Sequence, residues 1–217
     1  MKRPAIFLWG ILLFSTISCT DYLSPRYNDI VALGATNKSI IIDAEPNTCM
    51  FRLTSNVDFG AYVVSGSEWL KFEENGSDQL LCYASRRNIK LRATANRGFP
   101  RMGIVTLEAE GRADTLFVKQ EGQLEPFVQL QVTDLTAAPE GGTYRFTLET
   151  NLPARDIRTQ ADMEGILSVT YEESTLTVVM SPNDGRNDRH IHLDVYSITQ
   201  WREKIGSVLN ITQKKIQ

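Results

Sequence analysis

From residue 39 onward, apolar and polar positions alternate with a period of two, and no stretch sustains a 3.6-residue apolar repeat. That period predicts strands with one buried face. In 48–55, Cys49, Phe51 and Leu53 share one side while Met50, Arg52 and Thr54 share the other. The same reading puts Ile89, Leu91 and Ala93 inward, then Leu176, Val178 and Met180, then Ile191, Leu193 and Val195. Further short strands are predicted at 39–43, 69–72, 79–83, 103–108, 115–119, 128–132, 144–150, 166–171 and 206–213. Asn75-Gly76 and Glu110-Gly111-Arg112 supply turns between them.

The pattern occurs twice. Glu45-Pro46-Asn47-Thr48-Cys49-Met50-Phe51-Arg52-Leu53-Thr54-Ser55-Asn56 aligns without a gap on Glu140-Gly141-Gly142-Thr143-Tyr144-Arg145-Phe146-Thr147-Leu148-Glu149-Thr150-Asn151. Each copy closes on Val118-Lys119-Gln120 or Ile211-Thr212-Gln213. A unit of about ninety residues is too long for a solenoid repeat and suits a small domain. The expected fold is all-β: two tandem immunoglobulin-like, Greek-key β-sandwiches at 34–123 and 124–217, joined through GQLEP at 122–126. No stretch is left over for a separate catalytic domain.

The front of the chain is of another kind. Lys2 and Arg3 precede the apolar run AIFLWGILLF at 5–14, which has the length of a signal-peptide core and is too short for a permanent span. Thr16-Ile17-Ser18-Cys19 follows as a lipobox-like site. Residues 1–18 are expected to be a lipoprotein signal peptide and 19–33 a tether, with Cys19 carrying acyl chains such as palmitate. The expected location is the cell envelope, lipid-anchored to the outer membrane. The whole chain has 23 Lys and Arg against 26 Asp and Glu, a net charge of −3. A mildly acidic surface with no basic stripe argues against nucleic acid and against binding anionic lipid by charge. Export into oxidising surroundings permits a Cys49–Cys82 disulfide, although Cys49 on an inward face packs equally well as a free thiol.

An ordered set of short motifs resembles the BACON domains (Bacteroidetes-associated carbohydrate-binding, often N-terminal). In the first copy these are Thr54-Ser55-Asn56, Trp69-Leu70, Asn96…Arg101 and Val118-Lys119-Gln120-Glu121-Gly122. In the second they are Glu140-Gly141-Gly142-Thr143, Glu149-Thr150-Asn151, Asn183…Arg189 and Ile211-Thr212-Gln213. Where the family carries a tryptophan after Ser-Asn, this chain has Phe59 or Tyr62 and Ala154 nearby, and Ile166 stands where the first copy has Trp69. The resemblance implies a sandwich fold and a setting beside surface glycan-degrading lipoproteins. It transfers no binding site, because the matched positions are turn and core positions.

Candidate chemistry is sparse. Trp69 heads a strand, where an indole is expected in the core. Trp201 lies between two strands in the polar run Gln200-Trp201-Arg202-Glu203. An exposed indole with polar neighbours suits the apolar face of a sugar, so Trp201, Gln200 and Arg202 are the candidate ligand residues; an edge-folded ring or a contact between domains is the alternative. His190 and His192 share one strand face and are the weak candidates for a metal, which would need a third ligand. Asp184-Gly185-Arg186-Asn187-Asp188 has the composition of a calcium loop without its spaced carboxylates. Arg86-Arg87 and Arg155-Asp156-Ile157-Arg158 read as solvated surface. No nucleophile elbow, phosphate loop or zinc-protease helix is present, so neither an enzyme nor a cofactor is expected. The expectation is a glycan-binding accessory of a polysaccharide-utilisation system, working on a polysaccharide or host glycan beside outer-membrane proteins. A spacer or adhesion module without sugar binding is the alternative.

Overall fold

The computed structural model describes residues 31–162 and 164–216; the expected signal peptide and the expected lipidation site Cys19 lie outside them. The first unit contains β1 (Leu33–Ala35), β2 (Ser39–Ile42), β3 (Asn47–Ser55), β4 (Phe59–Ser65), β5 (Leu70–Phe72), β6 (Gln79–Cys82), β7 (Ser85–Ala93), β8 (Arg101–Ala109) and β9 (Arg112–Gln120). The second contains β10 (Val128–Leu130), β11 (Asp134–Ala137), β12 (Gly142–Thr150), β13 (Arg158–Ala161), β14 (Ile166–Glu172), β15 (Thr175–Met180), β16 (Arg189–Ile198) and β17 (Lys204–Gln213). Among the described residues the sole helical element is a single 3-10 turn, Ala154–Asp156.

Each unit is a two-sheet sandwich. In the first, the sheets run β1-β3-β7-β5 and β2-β9-β8-β4-β6; in the second, β10-β12-β15-β14 and β11-β17-β16-β13. Lettered along the chain, both give A-B-E-D facing A′-G-F-C, the immunoglobulin arrangement. The first unit adds β6 at the outer edge of β4. Both A′ strands, β2 and β11, pair in parallel with the last strand of their unit. Two hairpins turn through two residues with positive φ, Glu110-Gly111 and Glu173-Ser174, whose twist matches the strands they join.

The inward residues named above build the cores. Phe51, Leu53, Ile89 and Leu91 are fully buried in the first, with Leu176, Val178, Ile191, Leu193 and Val195 in the second. Trp69 is buried too. The first core also takes in Val31 and Leu33, residues that pattern alone leaves in the tether. β4 escapes pattern reading because Phe59, Gly60 and Ala61 are buried in succession, and β13 because all its residues are exposed.

Cys49 and Cys82 are both buried and free, so the Cys49–Cys82 disulfide weighed from the sequence is not formed. Cys49 lies on β3, and Cys82 on the edge strand of the opposite sheet. Cys82 sits near the end of the sandwich where Ser85 pairs Ser55, six residues along β3 from Cys49. Six residues of strand are about 20 Å, far outside bridging distance. Burial pushes the Cys49 thiol up to about 11 and raises Cys82 as well.

A repeated polar network closes one end of each sandwich. In the first unit, Asn96 Nδ2 donates to the carbonyls of Phe99 (2.8 Å) and Glu121 (2.9 Å). Gln120 Nε2 donates to the Thr94 carbonyl at 2.9 Å, and its Oε1 accepts from Arg101 Nε at 2.9 Å. In the second, Asn183 Nδ2 donates to the carbonyls of Asn187, Gln213 and Lys214. Gln213 Nε2 donates to Ser181, Ala138 and Pro139, and its Oε1 accepts from Arg189 Nη1 at 2.9 Å. The asparagines and glutamines are buried, and each is satisfied, so their desolvation is repaid by hydrogen bonds to chain that has no ladder partner.

Two outcomes follow from these contacts. Gln213→Leu strips Arg189 and three carbonyls of a partner and should cost about 2–4 kcal/mol, read as an earlier urea transition of the second sandwich with the first unmoved. Cys49 and Cys82 should resist alkylation at pH 8 in the folded chain and react fully in denaturant without any reductant, since burial keeps both protonated below their raised pKa values.

Candidate functional site

The loop between β16 and β17 is shaped to push one side chain outward. Thr199 N–H donates to the Glu203 carbonyl at 2.9 Å and Arg202 N–H to the Thr199 carbonyl at 2.9 Å. Glu203 N–H donates to Thr199 Oγ1 at 3.2 Å, and Arg202 takes a left-handed φ of 62°. These bonds tighten the five-residue loop and project Trp201 away from its own sandwich.

Trp201 lands on the first sandwich. Its Nε1–H donates to the Arg101 carbonyl at 3.0 Å, and Lys119 Nζ lies 5.5 Å from the ring centre. Beside it, Gln200 Oε1 accepts from the Met102 N–H at 3.2 Å. The indole N–H that a sugar hydroxyl could accept from is therefore engaged by the neighbouring domain. Arg202 contributes the backbone turn, and its side chain is exposed.

Arg101 links this clasp to the closing network. Its guanidinium stacks 4.3 Å from the centre of the buried Trp69 ring and donates to the carbonyls of Thr94 (3.0 Å) and Ala95 (3.2 Å). Burial pulls that guanidinium below its ordinary pKa, with the Glu68 charge opposing. The linker is fastened at both ends. Gln123 and Leu124 N–H groups donate to the Asn96 and Gly98 carbonyls, while Asn151 accepts from Phe127 N–H and donates to the Glu125 carbonyl. Gly122 permits the approach, since a Cβ there would come 2.2 Å from the Gly98 carbonyl oxygen.

Between clasp and linker lies a cleft of about 260 Å³. Its apolar wall comes from both domains and the linker, through Phe99, Pro100, Pro126, Leu152 and Pro153. Gln200, Arg155, Asp156 and Arg158 supply polar groups. Domain junctions commonly hold ligand clefts, and this one mixes an apolar floor with a few convergent polar groups. Of the sequence candidates, Gln200 lines it. Arg155, Asp156 and Arg158, read from sequence as solvated surface, line it too. Nothing in their spacing signals this, because the opposite wall is more than fifty residues upstream.

The histidines lie elsewhere, on the outer face of β16. His192 bonds Asp162 Oδ2 through Nδ1 at 2.8 Å, and its main-chain and ring bonds hold the Asp162 carboxyl below its ordinary pKa. His190 Nδ1 is 3.2 Å from Thr212 Oγ1. The carboxylates on the same side are engaged by lysines, Asp188 by Lys214 and Asp194 by Lys204. Among the described residues no three His, Cys, Asp or Glu side chains gather where they could hold a metal.

Neither a protein-family model nor a curated protein matches the chain. Among solved structures it is similar to a Bacteroides ovatus GH5 xyloglucanase in complex with a XXXG heptasaccharide, at 14% identity and a TM-score of 0.36 over 49% of this chain. The match spans 22% of the xyloglucanase chain. Tandem immunoglobulin domains of titin match 86% of this chain and 98% of theirs, at 10% identity and a TM-score of 0.30. Domains 5–6 of the S-layer protein SbsC match 87% of this chain and 99% of theirs, at 8% identity and 0.31. Likenesses this loose carry nothing about activity or partners.

The clasp predicts how the two domains move. Trp201→Ala removes one hydrogen bond and one cation–π contact, together worth about 1–2 kcal/mol. The expected result is a broader distribution of interdomain distances by small-angle scattering, with each sandwich melting as before. Unchanged scattering would show that the linker and the Gln200–Met102 bond hold the pair without the indole.

Proposed function

We propose that this chain is a non-catalytic, glycan-binding accessory lipoprotein of the cell envelope, made of two BACON-like domains and anchored through Cys19. The observation that carries the reading is the interdomain cleft. A sugar ring offers an apolar face bordered by hydroxyls, and the cleft offers prolines, Phe99 and Leu152 beside Gln200, Arg155, Asp156 and Arg158. Guanidinium and amide groups suit vicinal hydroxyls because each presents several donors in a plane. The ligand is a polysaccharide or host glycan, and acyl chains on Cys19 hold the module at the outer membrane by burying methylenes at about 0.8 kcal/mol each. Outer-membrane proteins that degrade or import the glycan are its natural partners.

A second reading is favoured by a different observation. The Trp201 clasp and the doubly fastened linker stiffen the pair, which supports a spacer or adhesion module that holds a partner away from the membrane.

Affinity electrophoresis of the full chain in neutral detergent separates the two. Gels containing neutral polysaccharides should retard the protein, and Arg155→Ala with Arg158→Ala should weaken retention by about 10-fold, the loss of one to two hydrogen bonds to charged donors. Migration unaffected by every neutral or charged glycan would leave the spacer reading standing.

A further inference from the structure

The A-B-E-D sheet of the first domain carries a row of cations that chain order hides. On the register of β3 with β7, four successive outward levels pair Thr54 with Arg86, Arg52 with Asn88, Met50 with Lys90, and Thr48 with Arg92. Every level holds one cation, and Lys71 on β5 lies beside Arg92 at the last. All eight paired residues are exposed. Outward positions along a strand repeat about every 6.8 Å, so the row runs about 20 Å along the sheet, with Arg86, Lys90 and Arg92 on β7 and Arg52 on the adjacent β3. Acidic relief is uneven. Glu73 stands 3.7 Å from Lys90 and 3.7 Å from Arg92, and Asp78 3.5 Å from Lys71, while Arg52 and Arg86 enter no ion pair among the described residues. The stripe that linear reading excludes is thus present, because the register brings 52 beside 88 and places 86, 90 and 92 on its line.

The second domain serves as an internal control. Its matching levels pair Thr147 with Thr175, Arg145 with Thr177 and Thr143 with Val179, and exposed Glu149 follows. The fold therefore does not require the cations, whereas it repeats the Asn-Arg-Gln network in both copies. Like charges on successive levels about 6.8 Å apart repel one another, a cost that Glu73 offsets at Lys90 and Arg92 and that a bound anion would offset at Arg52 and Arg86.

We propose that this face binds a linear anionic glycan, one carrying carboxylate or sulfate groups along its length, as a surface distinct from the interdomain cleft. The inference rests on the glycan-binding reading and narrows its ligand class. The row matches one extended chain, and Thr48, Thr54 and Asn88 place neutral hydrogen-bonding groups beside the cations for sugar hydroxyls. Single-stranded nucleic acid is gripped by stacking on aromatics, and no outward position of β3, β5 or β7 is aromatic. A bilayer presents its charge over a plane, whereas these cations follow the strands as a narrow band about 20 Å long.

The test uses the full chain in neutral detergent with polygalacturonate as the probe, and dextran, oligothymidylate and phosphatidylglycerol vesicles as comparisons. Polygalacturonate should retard the protein, with affinity falling as salt rises through counterion release. Replacing Arg52, Arg86, Lys90 and Arg92 with Gln should weaken that retention by at least about 10-fold, and Arg52→Thr, which copies Thr147 of the second domain, by about 3-fold. Glu73→Gln should strengthen it. These are exposed positions, so an unchanged melting temperature confirms that each variant folds. Equal retention of wild type and quadruple variant, or tighter binding to oligothymidylate or vesicles, overturns the proposal. If polygalacturonate fails while a neutral glycan still binds through Arg155 and Arg158, this inference alone falls. If nothing binds, the glycan reading falls with it.

Discussion

Both sandwiches depend on a hydrogen-bonded trio of Asn, Arg and Gln that closes one end. The segments it holds, 94–99 and 181–187, leave the sheets and lose their ladder partners. A buried carbonyl without a partner costs about 1–3 kcal/mol, and each trio satisfies several at once. Gln120 and Gln213 sit at the ends of the final strands, where one amide reaches both the chain entering the sandwich and the crossover before the penultimate strand. Apolar burial drives the sheets together, while the trio decides how the irregular end is tied.

The first trio also governs how the domains meet. Arg101 has its guanidinium on Trp69 and Gln120 and its carbonyl on Trp201. Asn96 organises the turn whose carbonyls receive the linker. The junction is therefore built from atoms already fixed by the fold of the first domain, which lets a short linker and one indole orient the second. The cleft beside them inherits that definition, with walls from both domains and a floor of linker proline.

Duplication separates what folding requires from what it does not. Asn96 and Asn183, Arg101 and Arg189, Gln120 and Gln213 keep their roles in both copies, as do Asn56 and Asn151, which each receive the N–H of the incoming strand. The outer sheet faces have diverged, one towards Arg and Lys, the other towards Thr and Glu. Trp69 and Trp201 also occur once each, and both serve packing, one inside a core and the other between domains.

What the chain by itself determined is the fold: period-two alternation names the inward residues, turn pairs punctuate them, and the ungapped repeat sets the number of domains. These signals are local, since a strand's faces and a turn's φ values are written within a few neighbouring residues. Strands without alternation, β4 and β13, left no such trace. Sites were a different matter. Tertiary structure alone decided that Trp201 faces another domain, that Arg155 and Arg158 share a cleft with Phe99, that Cys49 and Cys82 stay apart, and that Arg52 completes a row with Arg86, Lys90 and Arg92. Each of these is a relation between segments distant in the chain, set by strand register and domain docking, and no window of sequence contains it.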